Sequence, residues 1–331
     1  MTDARGELPP VNADLEARVR AGLAEVERRL QASVDSDAPL VADVSRHLMN
    51  AGGKRFRPML VLTAAEFGDP EARGVLDAAV GVELTHLASL YHDDVMDEAD
   101  LRRGAKSANA LWDNSMAILT GDFLFAQASQ VIADLGAEAV RIQAQTFARL
   151  VEGQIRETAG PREGDELLDH YLRVVADKTG SLIATSARYG AMMSGSDADL
   201  VPVLTEFGER IGTAFQLSDD VIDIASDSDE LGKSAGTDLR EGVPTLPVLI
   251  ARRSTDPADA RLLELLTGPL TDDSLHAETL GLLRVHPAMN EARAEVERRA
   301  EQARELLAKL PDVPARDALA DMCDLVVHRT T

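Results

Sequence analysis

Read at helical spacing, the chain resolves into a succession of amphipathic stretches separated by Gly and Pro. Asn12 is placed to cap a first helix over 13–33, and a shorter helix over 39–50 stops at Gly52 and Gly53. Pro58 suits the first helical position of PMLVLTAAEFG, which Gly68 closes. A helix over 72–97 carries two stripes, an apolar one of Val80, Leu84, Leu87, Tyr91 and Val95 and a mostly polar one of Glu83, His86, Leu90, Asp93 and Asp97. The first packs, and the second faces something that wants charge. After a loop, EADLRRGAKS, with Gly104 as its breaker, helices are predicted over 108–135, 138–159 and 165–193. Lys178, Thr179 and Gly180 interrupt the last of these; a mid-helix glycine costs about 1 kcal/mol against alanine, so it marks a tolerated defect or the close approach of a ligand or backbone. A helix over 200–224 has Leu204, Ile211, Phe215 and Ile222 on one face and Glu209, Gly212, Gln216, Asp219 and Asp223 on another. Residues 225–242, rich in Ser, Asp and Gly and holding Lys233, suit a mobile surface loop or lid. Further amphipathic helices follow, broken near Pro257, Gly268, Pro287 and Pro311, with a solvated Arg/Glu face along 291–305.

Composition supports the same class. Aromatic residues make up only 3% of the chain, whereas alanine and leucine are abundant, a balance that favours packed helices. The expectation is an all-α protein, a single domain over 1–331 with a tail at 1–12, since no linker long enough divides it. The net charge of −23, from 57 acidic and 34 basic residues, argues against nucleic acid or an anionic lipid surface as partner. Cys323 is the sole cysteine, which excludes an internal disulfide and a cysteine-based metal site and leaves it as a small apolar residue of the last helix. MTDARGELPP lacks the apolar core of a signal peptide, and no uninterrupted apolar run approaches membrane-spanning length. A soluble, cytoplasmic protein without an integral membrane segment is expected.

Two copies of one acidic pattern punctuate this framework, DDVMD over 93–97 and DDVID over 219–223. Asp93 with Asp97, and Asp219 with Asp223, share a helix face; the middle carboxylates, Asp94 and Asp220, lie about 100° round and widen it. Carboxylates this close repel one another, and divalent cations are the simplest means of holding them together. All-oxygen clusters select hard cations, and magnesium keeps part of its shell for water and substrate phosphate oxygens. One such cluster in so acidic a chain would be an ordinary solvated face, but two copies, each ending an amphipathic helix before a loop with basic residues, are hard to obtain by accident. Facing each other, they would clamp a diphosphate between metal ions.

Basic residues are placed to serve the same anion. Lys54, Arg55 and Arg57 collect before a predicted helix N-terminus, where unpaired amides and the helix dipole favour phosphate. Lys54, Arg57, Arg102, Arg103, Lys178 and Lys233 together could neutralise the remaining charge, although each alone reads as a surface residue. No Ser/His/Asp or Cys/His nucleophile stands out, so the metals would make the diphosphate a leaving group. The carbocation left behind calls for a dry, apolar cavity with oxygen dipoles, for which Thr179 and Gln216 are candidates.

At this point the chain resembles the trans-isoprenyl diphosphate synthases, or polyprenyl synthetases. The resemblance runs from about 45 to 250 through GGKRFRP, LASLYHDDVMDEADLRRG, GDFLFAQA, KTG, FQLSDDVIDI and GKSAGTDLREGVPTLP, in the family's order. It implies a large helical bundle around a deep central cavity (the isoprenoid synthase fold), commonly a homodimer, with about three magnesium ions per site. By that resemblance Asp93, Asp94, Asp97, Asp219, Asp220 and Asp223 are magnesium ligands. Arg102, Lys178 and Lys233 match the grip on the allylic diphosphate; Lys54, Arg57, His86 and Arg103 match the binding of isopentenyl diphosphate; Lys178, Thr179 and Gln216 are the catalytic candidates. Ionisation would give an allylic cation, the double bond of isopentenyl diphosphate would attack it, and the departing pyrophosphate would take the proton. Thr237 and Val243 depart from the lysines common at their positions.

Product length is expected to follow from the residues four and five positions before the first aspartate, which in the family block the growing chain when bulky. Here they are Ser89 and Ala88, both small, so the tunnel should continue to a medium or long product, hexaprenyl to decaprenyl, such as a quinone side chain. Phe123, Leu124 and Phe125 are candidates for a floor, with ordinary core packing an equal explanation. Four alternatives remain: a shorter product, farnesyl or geranylgeranyl diphosphate; a terpene cyclase, against which DDVID and GGKRFRP speak; a non-catalytic regulatory subunit of a heteromeric synthase, which would usually lack the aspartates retained here; and a purely structural acidic helical protein, which leaves the ordered basic motifs unexplained.

Overall fold

The computed structural model describes residues 12–226 and 235–330. The expected tail, apart from Asn12, and Lys233 in the expected lid lie outside the described residues. The helices in chain order are α1 (Ala13–Ser33), α2 (Pro39–Asn50), α3 (Phe56–Ala65), α4 (Arg73–Met96), α5 (Ala108–Leu111), α6 (Asn114–Ala133), α7 (Ala137–Ala159), α8 (Leu167–Val175), α9 (Ser181–Met193) and α10 (Leu200–Ala225). They continue as α11 (Thr237–Glu241), α12 (Leu246–Ala251), α13 (Ala260–Leu265), α14 (Asp273–Val285), α15 (Pro287–Leu307) and α16 (Pro314–His328). Strands β1 (Leu101–Arg102) and β2 (Ala105–Lys106) form the one small sheet among the described residues. The chain divides into two compact units, one of Met1–Ala148, Leu182–Gly208 and Leu306–Asp321, the other of Arg149–Ser181, Glu209–Glu305 and Met322–Thr331.

In the first unit α4 is the central element, packed against α6, α3 and α1. Its predicted apolar stripe is the core face, with Val80, Leu84, Leu87 and Tyr91 buried and Val95 partly so. Tyr91 also ties α4 to α2 by donating its hydroxyl to Val44 O and accepting from the Leu48 amide (3.3 Å). Asn12 caps α1 as expected, accepting from the amides of Asp14 (3.0 Å) and Leu15 (3.1 Å). α3 begins two residues before the proline expected to open it, because Arg55 adopts a left-handed φ of 47° and turns the chain into the helix ahead of Phe56. Pro58 is harmless there, since first-turn amides have no intrahelical acceptor.

The stretch expected to be a loop, EADLRRGAKS, is a minimal hairpin pairing Leu101 with Lys106 and Arg102 with Ala105. Its turn residues, Arg103 (φ 53°) and Gly104 (φ 76°), are both left-handed, as a two-residue turn between right-twisted strands requires. The single helix expected over 108–135 is broken at Trp112, after which Asp113 caps α6 through the Met116 amide (2.8 Å). The capping carboxylate competes successfully with helix continuation there.

In the second unit α12 packs on α8 and α14, and α13 on α14. The interruption expected at Lys178–Gly180 is a π-helical turn, Ala176–Gly180, separating α8 from α9. Within α10, Leu204 and Ile211 are buried as expected, but Phe215 and Ile222 are only partly so. Leu217, Val221 and Ile224 complete the buried side instead, so the apolar face is rotated from the predicted one. Part of the expected lid is ordered as α11, and the break expected near Pro287 is present, α14 ending at Val285 and Pro287 opening α15, consistent with proline's tolerance in a first turn. Cys323 is buried.

α6 is long and apolar enough by length and composition to cross a membrane, unlike what uninterrupted runs suggested, although Asp122 interrupts it. One side of it, Ala117, Gly121, Leu124, Ala128 and Ile132, is buried in this chain. The hairpin yields a direct test: at Gly104 there is room for a Cβ, so Gly104→Ala should cost about 1–2 kcal/mol from the left-handed backbone alone. The urea midpoint should fall accordingly, and an unchanged midpoint would contradict the assigned turn.

Candidate functional site

The first acidic motif closes α4. Asp93 is partly exposed and Asp97 exposed, but Asp94 has no solvent access and lies on the packed side rather than widening the open face. The hairpin folds Arg102 back over it, so that Arg102 Nε donates to Asp94 Oδ1 (2.5 Å) while Nη2 stands 3.8 Å from Asp97 Oδ2. The turn is anchored by the Ala99 amide on Asp94 O (3.0 Å) and by Ser107 Oγ and Asn109 Nδ2 on Ala99 O, the latter at 3.2 Å. Arg103 points the other way and donates to Leu48 O (3.2 Å) and Gly52 O, fastening the hairpin to the GGKRFRP segment.

His86, two turns before Asp93 on α4, stands among positive charges. Burial, followed by Arg57, Arg103, Arg55 and Arg102, pushes its imidazole well below the usual value, so it is neutral at neutral pH. Arg57, His86, Arg102 and Arg103 are thus brought into one electropositive cluster, with Lys54 exposed on the same segment. Glu83, expected on the polar stripe, is buried and answers Arg55 instead, with Arg55 Nη1 3.0 Å from Glu83 Oε1 and Nε 2.9 Å from Glu27 Oε2. Arg55 is therefore structurally committed, and Arg57, Arg102 and Arg103 gather positive charge beside His86 that suits a polyanion.

The second motif closes α10 and has a related build. Asp220 is 3% exposed, and it is held by Tyr171 OH and the Leu246 amide (3.4 Å) on Oδ2 and by Gln216 Nε2 (3.2 Å) on Oδ1. Gln216 Oε1 in turn accepts from Thr179 Oγ1 (3.1 Å), so the two proposed dipolar residues and this carboxylate form one chain. Asp223 accepts from the amides of Thr237 (3.2 Å) and Asp238 (3.4 Å) at the start of α11. Asp219 is paired with Arg329 Nη2 (2.5 Å), whose guanidinium lies 4.6 Å from the centre of the Phe215 ring. Lys178 Nζ is 2.6 Å from Glu157 Oε2.

Tyr171, Glu157, Asp238 and Arg329 were not predicted as site residues. Glu157 had one signal, its position one turn after the mid-helix Gly153; a lone tyrosine on α8 and an arginine near the C-terminus had none. Of the chain-length candidates, Ala88, Ser89 and Leu124 are buried, while Phe123 and Phe125 are partly buried against the α4 core. Phe125 also packs on Phe147, with ring centroids 4.1 Å apart and planes tilted by 54°.

Burial, then Asp238, Asp223 and Glu157, raise the Asp220 carboxyl well above the carboxylate range, with the Leu246 amide opposing. An excess of negative charge on oxygen donors fits a hard divalent cation. Among the described residues no three carboxylate, imidazole or thiol side chains are grouped so as to hold a metal ion by themselves. A cation that shares its shell with water and substrate phosphate requires no such group.

The sequence profile described as polyprenyl synthetase matches residues 38–280. A nonaprenyl diphosphate synthase of Mycobacterium tuberculosis is 52% identical over 95% of this chain and 94% of its own length. Among solved structures, a geranylgeranyl pyrophosphate synthase from Corynebacterium glutamicum complexed with calcium and isoprenyl diphosphate superposes with a TM-score of 0.86 at 45% identity, covering 96% of this chain and 98% of that one. A polyprenyl synthase from Caulobacter crescentus, also complexed with calcium and isoprenyl diphosphate, gives 0.89 at 31% identity over the full length of both chains, 100% each.

The state of Asp220 gives a pH test. Its folded-state pKa is raised, so its contribution to stability is complete below the unfolded carboxylate value and is lost as pH rises through the folded value. In chelator, urea midpoints of the wild type should therefore fall across that window, and Asp220→Asn should remove the fall. Parallel pH curves for the two proteins would contradict this assignment.

Proposed function

Because the chain belongs to the polyprenyl synthetase family, we propose that it condenses isopentenyl diphosphate with an allylic diphosphate to give a medium- or long-chain all-trans polyprenyl diphosphate. The observation that carries this reading is the common build of the two acidic motifs. Each has a buried, hydrogen-bonded middle aspartate flanked by more accessible ones at a helix end. We take residues 1–331 as a single polyprenyl synthetase domain, supported by a family match that runs through both compact units.

Asp93, Asp94, Asp97, Asp219, Asp220 and Asp223 are the proposed magnesium ligands, directly or through water, with about three ions per site. Bound magnesium would supply charge neutralisation that makes the allylic diphosphate a good leaving group. Arg102, Lys178 and Lys233 hold that group, while Lys54, Arg57, His86 and Arg103 hold the diphosphate of isopentenyl diphosphate. His86 serves as a neutral hydrogen-bond donor, in keeping with the cations around it. The allylic C–O bond breaks to give pyrophosphate and an allylic cation, whose charge meets the oxygen dipoles of Thr179 and Gln216. The double bond of isopentenyl diphosphate then forms the new C–C bond, and pyrophosphate removes the proton that restores the alkene.

A second copy of the chain is the proposed partner. α6 leaves Ile118 at 43% and Leu119 at 60% exposure, and the start of α7 leaves Val140 exposed, apolar surface suited to a homodimer. The wild type should sediment as a dimer and Leu119→Glu as a monomer; a monomeric wild type or an unchanged variant would contradict the interface.

Ala88 and Ser89, small and buried on the wall of α4, support an open path for the growing chain, and use in a quinone side chain follows from that length. The enzyme incubated with magnesium, isopentenyl diphosphate and geranyl, farnesyl or geranylgeranyl diphosphate should give products of hexaprenyl to decaprenyl size by chromatography. No elongation from any starter would overturn the catalytic reading. Ala88→Phe should shorten the product, and an unchanged product would sink the account of the tunnel.

A further inference from the structure

The π-helical turn Ala176–Gly180 carries Lys178 and Thr179. Such a turn holds one residue more than the α-turn it replaces, so it rotates the preceding helix against the following one and opens carbonyls to other donors. It persists only where its surroundings hold it. Here α7 supplies the hold. Arg149 Nε donates to Asp177 Oδ1 (3.0 Å) and Arg156 Nη1 to Asp177 Oδ2, so both oxygens of one carboxylate are taken by guanidiniums about two turns apart on α7.

Between these arginines lies Gly153, where a Cβ would stand 2.8 Å from the backbone nitrogen of Lys178. Backbone approach this close requires glycine. The opened carbonyls are answered as well: Arg149 Nη2 reaches Ala176 O (3.5 Å), and Ser181 Oγ donates to Asp177 O (2.6 Å). Glu209 on α10 steadies Arg149 from its far side, with Oε1 2.9 Å from Nη2. Immediately after the clamped residue, Lys178 turns to Glu157, and Thr179 turns to Gln216 and through it to Asp220.

We propose that Asp177 is a positioning residue, clamped between Arg149 and Arg156, that holds the π-turn in the register presenting Lys178 and Thr179 to the allylic diphosphate. This rests on the reading that Lys178 grips that diphosphate. Asp177 itself touches no substrate and acts through the turn.

The test is steady-state kinetics on the full-length enzyme, with KM measured separately for farnesyl and isopentenyl diphosphate and the thermal midpoint recorded alongside. Asp177→Asn should raise KM for farnesyl diphosphate about tenfold while leaving that for isopentenyl diphosphate unchanged. Asp177→Glu should recover part of the loss, and Arg156→Gln, which keeps the Arg149 pair, should shift the same KM by a smaller factor. A clamp serving only the fold would lower the thermal midpoint and the active fraction but leave both KM values alone, and that result overturns the proposal. If Asp177→Asn fails to fold, Arg156→Gln decides, an unchanged farnesyl KM being the contrary outcome. Lys178→Ala separates the two layers. Its failure to raise the farnesyl KM would overturn the reading of Lys178 and the proposal with it, whereas an effect of Lys178→Ala without one of Asp177→Asn would overturn the clamp alone.

Discussion

Asp94 and Asp220 have almost no contact with water, and a buried carboxylate is costly unless its charge is answered. Much of the local structure around each acidic motif follows from how that cost is met. Asp94 takes a guanidinium, which requires the chain beyond α4 to reverse at once, and the Arg103–Gly104 turn is the shortest device for bringing Arg102 back. Asp220 takes neutral donors, Tyr171, Gln216 and the Leu246 amide, which satisfy its oxygens without cancelling its charge. Burial, with Asp238 and Asp223 nearby, accordingly disfavours the ionised form of Asp220, which positive charge at the site would favour. Arg329 on Asp219 supplies one such charge from within the chain.

The complementary imbalance lies around His86. Arg55 is answered by Glu27 and Glu83 and Arg102 by Asp94, while burial, then Arg57, Arg103, Arg55 and Arg102, hold the His86 imidazole well below its usual value. An acidic protein that gathers cations in one place and carboxylates in others is prepared for ligands of both signs. A diphosphate carried with a divalent cation would be such a ligand, and the proposed chemistry agrees with the family membership on it.

Helical periodicity made the all-α class and most element boundaries legible, because a stripe such as Val80–Leu84–Leu87–Tyr91 records which side of its own helix is dry. It carries no information about what lies across from that side. The burial of Asp94 and Asp220 was therefore missed, since periodicity placed them beside the accessible aspartates while packing against Arg102 and Tyr171 decided their surroundings. Asp177 shows the same limit: its partners lie 28 and 21 residues away on α7, and only the interruption at Lys178–Gly180 hinted at a close approach there. The hairpin was hidden because its strands are two residues long, too short for alternation to show.

The central claim is that the two acidic motifs serve divalent cations together with a diphosphate, and linked binding measures it most directly. Calorimetric titration of magnesium should be weak into the protein alone and stronger by about tenfold or more with pyrophosphate present, with pyrophosphate affinity rising by the same factor when magnesium is added. Asp93→Ala and Asp219→Ala should each reduce that coupling. Magnesium binding that is indifferent to pyrophosphate, or coupling untouched by both substitutions, would contradict the account.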